Sequence, residues 1–182
     1  MRHMECCPVM KRQGGYTLPE LIIGALVAGA LALIFFGAYK YFVVDAKVKA
    51  EISNQQLISG AIRDDWKASN DYAGLSAAGM IIRKRVPEKM ITNATLQNRW
   101  GGSVSVDPGS INGGTNNAFS ITYNNVPVDA CLNFVAGAVD GYAQVTIDGT
   151  AVKTPTSSYN QGTAANACGS APESVTVVLT GN

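Results

Sequence analysis

The chain has 182 residues, a net charge of +1, and 47% hydrophobic against 15% charged residues. Such balance, with no long run of either sign, argues against a large nucleic-acid footprint. The single histidine, His3, lies among the first residues, so no Ser–His or Cys–His pair can be drawn in the remainder, and no CxxC or acidic ligand cluster points to a metal or other cofactor.

The length suits one domain preceded by a targeting and anchoring segment. Arg2, Lys11 and Arg12 make the opening basic, and Gln13-Gly14-Gly15-Tyr16-Thr17-Leu18-Pro19-Glu20 joins it to an apolar run reaching Tyr39. No charge falls between Leu21 and Tyr39, and Lys40 is the first beyond. About 20 apolar residues cross the hydrocarbon core of a bilayer, so the run is long enough to span. It is too long for the apolar part of a secretory signal, and its glycine pair comes before it, where a cut would remove the charges and keep the helix. The positive-inside rule puts the basic leader in the cytoplasm and the rest across the membrane. Glu20 stands alone at the start of the span. Thr17-x-x-Glu20 reads as a helix capping box with Pro19 tolerated in the first turn. A carboxylate at the centre of a bilayer costs about 2.5–3.5 kcal/mol, less near its surface, so a counter-charge is the other reading of Glu20.

Lys11 through Glu20 resembles the class III signal of type IV prepilins. The resemblance implies cleavage between Gly15 and Tyr16 by a prepilin peptidase, methylation of the new amino group of Tyr16, and an assembly role for Glu20 as partner of that amine on a neighbouring subunit. Tyr16 stands where Phe, Met or Leu is usual, and Pro19 replaces a common aliphatic residue. The glycine before the cut and the glutamate five residues after it are retained.

Within the span Gly24, Ala28 and Ala32 recur every four residues, with Ala25 and Gly29 as a second pair, rows that let helices approach closely in lipid. Gly is also ordinary in membrane helices. Past Lys40 the helical spacing continues through Val44, Val48 and Ile52, then Ile58, Ile62 and Trp66, with charges at Asp45, Lys47, Lys49, Glu51, Arg63, Asp64 and Lys67 mostly between. One helix from Leu18 to about Ala68 would be ~75 Å long; the alternative is two helices meeting at a bend near Lys40.

Asn70 to Arg99 reads as a connecting region with one or two short helices, one starting at Pro87-Glu88. It contains Arg83-Lys84-Arg85, the densest basic cluster, read as a solvated loop or a subunit-contact face. Ser103 to Val106 reads as a strand stopping at Asp107-Pro108-Gly109, and Asp107–Asn117 as a surface loop. Ala118 to Tyr123 alternates as a strand ending at Asn124-Asn125. Val128–Ala138 reads as a helix carrying Cys131. Gln144–Ile147 enters a hairpin at Asp148-Gly149 and Ala151–Lys153 leaves it. Pro155–Ala167 reads as a polar loop closed by Cys168, and Ser174–Thr180 as a strand too apolar to lie outside a sheet.

Removal of residues 1–15 would take away Cys6 and Cys7 and leave Cys131 and Cys168, consistent with one disulfide in an oxidising compartment or with two buried thiols. The expected class is α+β, a long amino-terminal helix packed on a mainly antiparallel sheet. Three parts are expected: a leader (1–15), a membrane or filament-core helix (16–42), and a head that includes the second half of the helix (43–182). Asn98-Arg99-Trp100-Gly101-Gly102 before a strand, and a strand followed by the Cys131 helix, are similar to type IVb pilins, the group of the toxin-coregulated, bundle-forming and conjugative thin-pilus pilins. That resemblance implies a major subunit of a type IVb pilus, a helical homopolymer drawn from the inner membrane by assembly machinery, with its head periplasmic before assembly and extracellular after. Host-cell or recipient-cell surfaces are the implied further partners, for adhesion or conjugation. The alternatives are a minor pilin, a type II secretion pseudopilin, or a periplasmic binding module tethered by an uncleaved helix.

Overall fold

The computed structural model describes residues 17–69 and 71–182, with only the backbone described at positions 36, 38, 40 and 41. The cleavage residues Gly15 and Tyr16 lie outside the described residues. The chain divides into two units, one reaching Tyr41 and the other Phe42–Asn182.

Helix α1 runs from Leu18 to Trp66, 49 residues. It starts where Thr17 offers its carbonyl to the N–H groups of Glu20 and Leu21, at 3.0 and 3.2 Å. Pro19 sits inside the first turn, where its missing N–H would have no intrahelical partner anyway. In the first unit every described side chain of α1 is exposed.

In the second unit α1 turns amphipathic. Val48, Glu51, Gln55, Ile58 and Ile62 are buried at alternating three- and four-residue steps, the spacing of one helix face. That face meets a seven-stranded, wholly antiparallel sheet of order β1-β2-β3-β4-β7-β5-β6. The strands are β1 (Ile91–Thr92), β2 (Thr95–Gln97), β3 (Ser103–Gly109), β4 (Ala118–Pro127), β5 (Gln144–Ile147), β6 (Thr150–Lys153) and β7 (Ser174–Gly181). Phe119, Ile121 and Tyr123 project from one side of β4 into the core, as period-two alternation requires. They meet α1 and helix α3 (Val128–Ala138): the Arg63 guanidinium lies 5.3 Å from the Phe119 ring centroid, and the Phe134 ring 5.0 Å from that of Tyr123. The apolar terminal strand pairs on both sides, Ile121 with Leu179 and Leu179 with Val145.

The boundaries depart from expectation in four places. Strand β3 does not stop at Asp107 but continues to Gly109, with Pro108 opposite Phe119. Strand β2 reaches only Val104 on the other side, so the proline faces no strand that needs its missing donor. Strand β4 continues past Asn124-Asn125 through a register shift before Val126, with Asn125 at φ 58°. This irregularity inserts residues without ending the strand. Within the supposed connecting region, besides α2 (Ala77–Ile82) and a 3-10 turn at Glu88–Met90, strands β1 and β2 form a hairpin. Its tip, Asn93-Ala94, has φ of 49° and 61°, the left-handed pair of a tight hairpin turn. Finally, the polar segment before Cys168 is not all loop: Gln161–Gly169 forms helix α4. Asn160 caps it by accepting the Thr163 N–H at 2.9 Å, and Ala164, Ala167 and Cys168 bury its inner face.

Candidate assembly surface

The apolar half of α1 is the most unusual surface of the described chain. Leu18–Phe35 has a mean hydropathy of 2.3 and none of it is buried. Leu33 is 77% and Leu18 75% exposed, although a soluble domain would ordinarily bury such residues. A β-carbon added at Gly24, Gly29 or Gly37 would meet nothing within 4 Å, so the small-residue rows are open to an outside helix. Glu20, the sole carboxylate there, is exposed in the first turn, where the positive end of the helix favours an acid.

The head fixes the lower part of α1 by polar as well as apolar contacts. Glu51 has no exposed surface, and its Oε2 accepts the Arg99 N–H at 3.1 Å. Burial pushes its carboxyl up from 4.5, and the Arg99 backbone N–H, the Asn54 amide and the Arg99 charge oppose that without cancelling it. Gln55 donates to the Tyr142 hydroxyl, whose pKa burial raises to about 12 while that bond pulls it the other way. Glu51, one of the charges that the sequence sets mostly between the apolar positions, lies on the buried face. Its spacing was the available signal, seven residues after Val44 and seven before Ile58.

The turn that receives Glu51 is tightly specified. Asn98 Oδ1 accepts the N–H groups of Trp100 and Gly102 at 3.0 and 2.9 Å, and its Nδ2 donates to the Asn124 carbonyl at 2.7 Å. Trp100 then packs edge-on to Phe134, with ring centroids 5.7 Å apart.

Arg83 and Arg85 both reach Asp65 near the end of α1, at 3.3 and 2.5 Å. Arg83 also lies over the Trp66 ring, 4.8 Å from its centroid. Two charges of the basic cluster are thereby paired with the head while staying exposed, and Lys84, at φ 55°, is exposed as well. Cys131 on α3 and Cys168 on α4 form a buried disulfide with Cα atoms 5.9 Å apart. Among the described residues no group of three or more His, Cys, Asp or Glu is placed to hold a metal. The hollows of the head are shallow; one of about 340 Å³ is lined by Arg63, Trp66, Lys67, Tyr72 and Asn117 with others.

Comparison with known proteins decides what this arrangement is. The family model described as PilS N terminal matches residues 45–182. The chain is similar to the type IV b pilin of Salmonella typhi, at 28% identity and a TM-score of 0.58, over 74% of this chain and 99% of that one. The chain belongs to the PilS family of type IVb pilins. The same fold recurs in TcpA, a type IV pilin of the Vibrio cholerae El Tor biotype, with a TM-score of 0.60 at 14% identity, over 75% of this chain and 99% of that one. No curated protein matches it. The pilin is thus a structural subunit and not an enzyme, and its exposed helix fits a membrane-anchored subunit that later enters a pilus.

Proposed function

We propose that this pilin is the major structural subunit of a type IVb pilus. It is made as a prepilin with its head periplasmic, cut by a prepilin peptidase between Gly15 and Tyr16, and methylated at Tyr16. Assembly machinery then draws it from the inner membrane into a helical homopolymer. The observation that carries this reading is the unburied apolar stretch Leu18–Phe35. Lipid covers it before assembly and the helices of other copies cover it afterwards, so the exposed rows at Gly24, Ala28 and Ala32 change neighbours without ever meeting water. Addition of heads in one sense gives heterologous contacts that do not close, which is how a fibre grows. In this fibre Glu20 pairs with the freed α-amine of a neighbour's Tyr16, offsetting the cost of placing a carboxylate in an apolar core.

Filaments sheared from cells that make the protein test the proposal. Mass spectrometry is expected to find one dominant polypeptide beginning at Tyr16 and carrying one added methyl group. A trace component with that same terminus would make it a minor pilin. A chain confined to the membrane with its terminus intact would make it a tethered binding module and overturn the proposal.

A further inference from the structure

Four buried polar atoms between α1 and the head make no hydrogen bond of full geometry among the described residues: Glu51 Oε1, Asn54 Nδ2, Gln55 Oε1 and the Tyr123 hydroxyl; of these Asn54 Nδ2 is a donor that favours the carboxylate form of Glu51. Native interiors leave few such atoms, and the clustering of a carboxyl oxygen with three others asks for an explanation. The carboxylate form of Glu51 can only accept, and it uses one oxygen on the Arg99 N–H. The neutral form keeps that bond through its carbonyl oxygen and gains a donor on the other oxygen. Gln55 Oε1, one helical turn on, can only accept and so is matched by the neutral form alone, while the Tyr123 hydroxyl on β4 can serve either form.

We propose that Glu51 is a proton-operated strut between α1 and the Asn98–Gly102 turn, which grips tightest when its carboxyl is neutral and loosens as it ionises. The groups bearing on it come from each element around it. Exposed Arg99 on the turn supplies the nearest positive charge, while Tyr123 on β4 and Tyr142 before β5 are neutral hydroxyls. The charged residue of α3, Asp129, and Asp140 just beyond it are both exposed. The single cation is not enough to offset burial. The folded chain therefore holds the proton more tightly than the unfolded chain, whose carboxyl has its ordinary value of 4.5. The strut's contribution is complete below that value and is lost as pH rises through the higher folded value.

The test uses the full-length protein in detergent. Its thermal midpoint is expected to fall as pH rises from 5 to 8, by about 3–5 °C for each tenfold by which folding tightens the proton. Glu51→Gln, which stays neutral and can accept the Arg99 N–H, is expected to remove that slope and match the acid midpoint of the natural protein. The same slope in the variant, or none in the natural protein, overturns the proposal. Should the variant fail to fold, carbon-13 titration of the Glu51 carboxyl decides: a midpoint above 4.5 supports the strut, and one at or below 4.5 overturns it.

Discussion

At Gly102 the backbone leaves no room for a side chain. A β-carbon there would run into the Asn124 carbonyl and the Asn125 side chain. That carbonyl also accepts from Asn98, so it cannot move away without releasing the Asn98 side chain that organises the whole turn. Gly102→Ala is therefore expected to destabilise the head by about 1–3 kcal/mol, as overpacking does. Thermal or urea unfolding of the full-length protein in detergent checks this, with Gly101→Asn as a comparison: Gly101 has open space around it but φ of 82°, which Asn tolerates better than other side chains. A midpoint unchanged in Gly102→Ala would mean that the β3–β4 contact yields. At this scale the sequence spoke unevenly. The turn and its glycines were visible in Asn98-Arg99-Trp100-Gly101-Gly102. The reason for Gly102 was not, because the obstructing carbonyl belongs to a strand more than twenty residues away. Glu51 was hidden for another reason: a charged residue type outweighed a helical phase that pointed inward.

Helices α3 and α4 are short and joined by their cysteines, whose separation is 37 residues. Closing a loop of that size stabilises by roughly 4 kcal/mol in the chain-entropy model. Cys131→Ser is expected to lower the thermal midpoint by about 10 °C and to reduce the yield of pili. Unfolding scans under non-reducing conditions check it, and an unchanged midpoint would show that packing of Phe134 and Val135 suffices alone. The loss should fall hardest on α4, which buries only small residues besides its cysteine. That poverty of apolar bulk also hid α4 from sequence reading. Its cap, Asn160, and its alanines were present, but no amphipathic stripe was. Helix α3 carries Cys131, Phe134 and Val135 on one face, and its expected bounds match the observed ones. Strands β1 and β2, of two and three residues, are too short to show alternation, and their hairpin stands only because β3 continues the sheet.

For the molecule as a whole, the apolar half of α1 and the head answer to different surroundings. The first satisfies its backbone within the helix and leaves its side chains to lipid or to other copies. The second buries its own core. A substitution at Glu20 should accordingly affect assembly and leave the head alone. Glu20→Val is expected to preserve cleavage and the head's thermal midpoint while cutting filament yield by at least tenfold. Electron microscopy of sheared material with immunoblotting of the mature chain reads both. Normal filaments from this variant would remove the proposed pairing with a neighbour's Tyr16. The broad architecture was legible because an uncharged run of this length and alternating strands are strong periodic signals. The strand order was not, since it depends on which partners meet across long intervals of chain.

The place of β7 in that order has a consequence of its own. Strands β1 to β4 form one ribbon and β5 with β6 another, and among the described strands β7 alone pairs with both. During synthesis both ribbons emerge before their shared seam, so the β4 and β5 edges gain their partner only once Ser174–Gly181 has been made. A polypeptide clipped ahead of Ser174 would leave the β4 and β5 edges unpaired and open to strands of other chains. Pairing of β7 is thus the step that joins two ribbons into one sheet.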